Sequence, residues 1–475
     1  MNEKKVIKSA SWYVVSNLFI RAISFITAPI FTHILTPTEY GLVSNFFAWE
    51  AILVIFISLC FDYSIGNARI DFKEKFVEYL SVISTFIIIV GCVFILFFLT
   101  FPSSISVFLG YSKKLIVFLF LYAIFQSIIS LYQSKLRFEY NYVGNILIAI
   151  YSILFPLALS LLLIFFARNI EHFEGRILGM ILPLIVLGIF CYLIITIRGK
   201  KIISLNYLKY ALKFSLPLIP HGLAMIILEQ IDRVMITKIV GVNYSGIYSF
   251  AYTFALIFTI LQSSLMQAWQ PWFFDNIESA DDYRIDKSFN IITKIVFFAI
   301  IIYLCVLPEG IKLMGAKEFG DAKYVVIPLI MGCFFQFLYS NFVIMEMYKK
   351  DTYLIAIGSI IAAGANLLLN FLFIPKFGYI AAAYTTLFCY LILMVYHFSI
   401  CKGKYKVKFF RIESFLYFLI FLPLISGIYF ILYNKSFIFR YLICFIFIGI
   451  YILFCRNDIK AAINLIKKKS LDGIL

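Results

Sequence analysis

The chain has 475 residues, of which 63% are hydrophobic, 19% aromatic and only 14% charged, with a formal net charge of +16. A soluble domain carries about a quarter of its residues as charges, so this sequence lacks the polar surface to cover itself in water. With a mean hydropathy of +0.98, it reads as an all-α integral membrane protein.

In chain order, the sequence opens MNEKKVIKSASWYVVSNLF, a basic start feeding an apolar run. That run is too long for a signal-peptide core and no small-x-small cleavage site follows it, so it reads as an uncleaved first span, 10–34. Further runs able to cross about 30 Å of hydrocarbon follow at 41–65, 79–101, 114–134, 143–166, 177–197, 209–238, 246–272, 288–307, 324–347, 353–374, 379–399, 412–433 and 437–455. The expectation is fourteen spans joined by short connections. Lys and Arg gather after the even-numbered spans: Arg69, Lys73 and Lys75, then Lys135 and Arg137, then Arg198, Lys200 and Lys201, then Lys349 and Lys350, then CKGKYKVKFFR and the KKK tail. That bias places both termini in the cytoplasm. The positive charge is thus topogenic, supplemented by attraction to anionic lipid headgroups, and requires no nucleic-acid partner. Nine cysteines, mostly inside apolar runs, form no CxxC pair and keep no metal-ligand spacing with the four histidines, so they read as buried thiols and no metal site is expected.

The chain also repeats itself six spans apart. THILTPTEYGLVS from Thr32 aligns without a gap to TKIVGVNYSGIYS from Thr237, matching Thr32, Ile34, Gly41 and Ser44 to Thr237, Ile239, Gly246 and Ser249. GRILGMIL at Gly175 and GYIAAAYT at Gly378 echo each other at nearly the same offset, with small residues that permit close helix packing. An even six-span repeat keeps one orientation in both halves, the pattern of transporters that rock two bundles about a central site. The expected organisation is an N-terminal six-helix bundle at 1–197, a basic cytoplasmic linker at 198–212, a second bundle at 213–400, and two extra helices with a basic tail at 412–475.

Three stretches carry a family resemblance. SLPLIPHGLAMIILEQIDRVMITKIVGVNYSGIYSFAYTFA resembles the central signature of polysaccharide flippases, the Wzx-type members of the MOP exporter superfamily. NLLLNFLFIPKFGYIAAAYTTL from Asn366 is similar to that family's eleventh and twelfth spans, and LTPTEYGLVS to its opening. The resemblance implies no enzyme, but export of polyprenyl-diphosphate-linked oligosaccharide across a bacterial inner membrane by alternating access, with H+ or Na+ coupling. It also implies a polysaccharide polymerase and a chain-length regulator as partners, for O-antigen, capsule or similar polymers.

Ionisable residues deep in a span cost about 2.5–3.5 kcal/mol on insertion scales, and each calls for an account. Arg21, near the middle of the first span, reads as a grip for a diphosphate or as half of a structural ion pair. Glu229, Asp232 and Arg233 share a face of span seven. An internal Glu229–Arg233 pair is one reading; the other is a carboxylate free for ion coupling, with Arg233 at the substrate. Asp62 is a weaker coupling candidate and, like Glu346, reads more simply as interfacial. Lys135 and Arg137 stand at the inner mouth, as headgroup attractors or only as orientation signals. Asn341, Asn366 and Asn370 offer hydrogen bonds to sugar hydroxyls or between helices, and His221 reads as a packed neutral histidine. Pro29, Pro156, Pro217, Pro220 and Pro328 are expected to break or bend helices as hinges.

A membrane polymerase or ligase generally carries a substantial outer loop, and here the outer segments are short, as in PEGIKLMGAKEFGDAKY. No GxxxxGK[ST] loop occurs for an ATP-driven exporter. A cation-coupled drug exporter and a peptidoglycan-precursor flippase of the same superfamily stay open.

Overall fold

The computed structural model describes residues 27–139, 141–277, 282–435 and 437–454. Within them the chain is helical. The first helix is described over residues 27–34 (α1), and is followed by α2 (Pro37–Ser58), α3 (Ile65–Phe72), α4 (Phe76–Thr100), α5 (Pro102–Leu109), α6 (Lys113–Phe138), α7 (Tyr142–Phe166), α8 (His172–Gly199) and α9 (Leu205–Ser215). Then come α10 (Ile219–Ile239), α11 (Val242–Asn276), α12 (Asp282–Met314), α13 (Ala322–Tyr348), α14 (Thr352–Phe377), α15 (Ile380–Gly403), α16 (Leu416–Leu432) and α17 (Phe437–Phe454). Twelve segments among the described residues are long and apolar enough to cross a membrane, with a shorter apolar helix at Phe437–Ile452. The protein is a multi-pass membrane protein. Arg21 and most of the expected first span lie outside the described residues.

Helix starts follow local chemistry. α2 begins where LTPTEYG offers a capping box: Thr36 N–H donates to Glu39 Oε2 at 2.9 Å, Glu39 N–H donates to Thr36 Oγ1 at 3.3 Å, and Pro37 occupies the first turn. Its expected extension to residue 65 is corrected. Leu59 and Cys60 adopt φ of 47° and 55°, which stops α2 before a short 3-10 turn, Phe61–Ser64. Span seven also starts later than expected, because Pro217 sits in a 3-10 turn and Pro220 in the first turn of α10. A missing N–H costs nothing there, so these prolines begin a helix and do not bend one. The basic linker becomes the amphipathic α9, which is held to its neighbours by side chains. Tyr210 donates to Asp71 at 2.5 Å, and the Phe72 ring lies 4.8 Å from both Tyr207 and Tyr210.

Two compact units emerge: residues 1–253 with 356–385, and residues 254–355 with 386–475. This division differs from the boundary suggested by the repeat, because the first helices of the second half pack within the first unit. In that unit α2, α4, α6 and α8 enclose the apolar core, including Phe46, Tyr79, Ile116 and Ile181. α7 is peripheral, with 22% of its apolar window buried. In the second unit α13 is the central span, 83% buried over the same length. Phe289, Phe342, Phe410 and Phe415 pack edge-on and tilted beside it. There α17 is pinned through Arg440, 3% exposed, which donates to Glu309 of α12.

Candidate functional site: a cavity with two guanidiniums

The repeated stretches meet inside the first unit. A Cβ on Gly41 of α2 would lie 2.2 Å from the Val242 carbonyl oxygen, and one on Gly246 of α11 would lie 1.8 Å from that of Pro37. The two backbones are therefore in direct contact, a separation only glycine permits. Thr38 donates to Asn243 beside them at 3.5 Å.

One turn further along both helices a cavity of about 280 Å³ opens. Its wall includes Phe31, Tyr40, Ser44, Arg176, Gln230 and Arg233. Arg176, in the second turn of α8, lies with its guanidinium carbon 3.5 Å from the Phe31 ring centroid and donates to Ser160 Oγ at 3.0 Å. Arg233 stacks on Tyr252 at 4.5 Å and donates to the Glu229 carbonyl at 2.7 Å and to Gln230 Oε1 at 2.8 Å. Among the described residues neither guanidinium is in an ion pair, and no Asp or Glu lines the cavity. The internal Glu229–Arg233 salt bridge is thereby corrected: the guanidinium takes the main-chain oxygen one turn back. Two cations fixed by aromatic faces and neutral acceptors are chemically suited to a bidentate anion.

Asp232, the next residue on α10, belongs to a different arrangement. It is 2% exposed and accepts from Tyr248 at 2.5 Å and from Asn370 at 2.6 Å. Asn370 also donates to Asn366 Oδ1 at 3.2 Å and accepts from Thr385. Asn366 and Asn370 are fully buried, and of the two readings given for them, sugar hydroxyls or bonds between helices, the contacts match the second: Asn370 of α14 donates to Asp232 of α10. The arrangement gathers one carboxylate and several amide and hydroxyl oxygens, the ligand chemistry of a hard cation.

The remaining candidates disperse. Asn341 is buried in the second unit, where it donates to the Phe337 carbonyl at 2.7 Å and does not line this cavity. Asp62 is exposed in the turn between α2 and α3. Lys135 is only 4% exposed and bound to Glu139 at 2.7 Å, so its charge is already matched, while Arg137 donates to Ser134. Glu346, expected at the interface, is fully buried in α13. His221 is half-buried near the start of α10.

Two residues escaped sequence reasoning. Arg176 stands in the Gly175 echo where the Gly378 copy has Tyr379, and that departure from the repeat was the available signal. Glu50, midway along α2 and electrostatically linked to Tyr122, was legible as an acid deep in an apolar span.

The family described as polysaccharide biosynthesis protein matches residues 6–277, more than half of the chain. An uncharacterised membrane protein of Methanocaldococcus jannaschii is 20% identical over 436 residues, 83% of each chain. One of Haemophilus influenzae is 22% identical over 337 residues, 69% of this chain and 80% of its own. Among solved structures, an inward-facing multidrug-resistance MATE transporter of the MOP superfamily superposes with a TM-score of 0.60 at 14% identity, over 88% of this chain and 96% of that one. A MOP superfamily transporter from Pyrococcus furiosus, described as having a binding pocket of reverse polarity, gives 0.55 at 13% identity over 88% and 96%. These likenesses fix the fold as that of MOP-superfamily transporters.

Proposed function

Because the chain belongs to the polysaccharide biosynthesis protein family and has the fold of MOP-superfamily transporters, we propose that it is a flippase for polyprenyl-diphosphate-linked oligosaccharide. In this reading it carries repeat units of an O-antigen, capsule or similar polymer from the cytoplasmic to the outer face of a bacterial inner membrane by alternating access. The observation that carries the proposal is the pair Arg176 and Arg233 on one cavity wall, without a carboxylate among the lining residues. Bringing a diphosphate into low dielectric costs too much unless fixed cations receive it. A cavity of about 280 Å³ is small for a ligand pocket and suits the diphosphate, not the sugar chain. A cationic drug would be repelled there, which weighs against the drug-exporter alternative. Arg21 keeps its proposed place as a further diphosphate ligand.

Release to the outer side requires the Gly41–Gly246 contact to part, because it stands one turn from the cavity on two of its wall helices. Coupling is assigned to Asp232, with Glu229 as a second carboxylate on the same helix. Asp232 and Arg233 are consecutive, so a cation or proton at the first and an anion on the second bias one helix. The coupling ion is H+ or Na+.

The test uses inverted inner-membrane vesicles lacking their own flippase, with polyprenyl-diphosphate oligosaccharide on the exposed face. Substrate should become protected inside only when the protein is present, and Arg176→Ala with Arg233→Ala should stop it. Protection equal to that of empty vesicles across several oligosaccharides, with the protein folded, would overturn the reading.

A further inference from the structure

The second unit buries an acid and a base with no role in the cavity. We propose that His397 of α15 and Glu346 of α13 form a proton-binding site, distinct from Asp232, near the end of this unit that carries Lys349, Lys350, Lys402 and Lys404. His397 Nδ1 lies 2.6 Å from Glu346 Oε1, with the two side chains 1% and 0% exposed. Glu346 Oε2 is buried and has no hydrogen-bond partner.

With one proton between imidazole nitrogen and carboxylate, the pair is neutral overall, whichever atom holds it. Without that proton a bare carboxylate remains in an apolar interior, which is heavily penalised. The pair is therefore a place where one proton is held or given up, which is the property a coupling site needs. A purely structural bridge would match both carboxylate oxygens, and Oε2 is left unmatched. The His397 ring stacks at 5.8 Å on Tyr339, which stacks at 6.2 Å on Tyr390, and Tyr339 and Ser340 are only half-buried.

The other titratable groups near the pair are accounted for. Tyr396, Cys401 and Tyr405 lie within electrostatic reach of Glu346. Tyr396 donates to the Leu354 carbonyl of α14 at 3.1 Å, and Cys401 to that of Phe342 at 3.5 Å. Lys402 is held by the carbonyls of Val407 and Phe409. Asp351 binds Lys404 and Tyr405, and Lys404 also meets Tyr353. On α12, which packs on α13 through Phe289 and Phe342, Asp286 is taken by Arg411 N–H and the Ser414 hydroxyl. None of these competes for His397.

The proton site can be tested without any transport substrate. The sequence has four histidines, so replacing His33, His172 and His221 by Gln leaves His397 as the sole reporter in the full-length protein. Ring-¹⁵N magnetic resonance in lipid nanodiscs should show that ring change protonation state as the pH is varied. Glu346→Gln should displace the transition, with Glu346→Asp as the second variant should the first fail to fold. A ring that keeps one state throughout, or titrates identically without Glu346, overturns the proposal. Its use in coupling rests on the flippase reading. In the vesicle assay the pH dependence of uptake should flatten in His397→Gln; unchanged dependence would remove the pair from coupling. A titrating ring in a protein that moves no oligosaccharide would leave the proton site standing and the flippase reading overturned.

Discussion

At the scale of single residues, the cavity depends on two guanidiniums with different supports. Hydrogen bonds to charged groups contribute about 1.5–3 kcal/mol, so Arg176→Ala and Arg233→Ala should each weaken binding of a polyprenyl diphosphate about ten- to hundredfold. Equilibrium binding to the purified protein measures this, and wild-type affinity in both variants would remove the cavity from recognition. Arg176→Lys should recover only part of the loss, since an ammonium lacks the planar fork. Away from the membrane-spanning helices, Asp351 offers a pH prediction. Hydrogen bonds from Lys404 and Tyr405 hold its carboxyl below the ordinary carboxylate range. A depressed acid stabilises the fold above its unfolded value of about 3.9, and the contribution is lost as pH falls through the lower folded value. Asp351→Asn should therefore lower the thermal midpoint slightly at neutral pH, the group being exposed, and the gap should close in acid. A gap that widens in acid would contradict this account.

At the scale of elements, the repeat proves to be a contact. Each copy supplies a glycine, and the glycines let α2 and α11 touch backbone to backbone beside the cavity. Substituting Val at Gly41 or Gly246 forces these helices apart, because the obstructing atoms are main-chain oxygens that cannot swing away. Thr38→Cys with Asn243→Cys, which replaces a 3.5 Å side-chain contact, should cross-link readily in membranes under mild oxidation. Adding Gly246→Val should reduce the cross-link severalfold, and undiminished cross-linking would show that the contact tolerates the branch. The span pattern was legible from hydropathy alone: expected spans at 143–166 and 324–347 are realised as Tyr142–Phe166 and Ala322–Tyr348. Boundaries failed where the cause was local and stereochemical, at the left-handed Leu59–Cys60 step and at Pro217 and Pro220.

At the scale of the molecule, coupling should run through Asp232, whose partners come from α11 and α14, with Thr385 of α15 reached through Asn370. Asp232→Asn should leave the protein folded, since amide and carboxylate are nearly isosteric, and abolish the dependence of uptake on an imposed H+ or Na+ gradient. Uptake that follows the gradient as before would move coupling elsewhere. Composition and periodicity by themselves determined that this chain lives in lipid, how many times it is expected to cross and where it repeats, because those properties are sums over local residues. They also marked Asp232 and Arg233, since a charge in hydrocarbon is conspicuous in any context. What those charges face was decided by tertiary structure. Arg176 passed unremarked near a helix start and lines the cavity; Asn366 and Asn370 suited sugars or bonds between helices, and Asn370 joins α14 to the Asp232 carboxylate; Glu346 looked interfacial and is buried against His397. Hydropathy measures how much a residue dislikes lipid, whereas a site depends on the direction in which each helix turns its side chains toward its neighbours, and only packing sets that rotation.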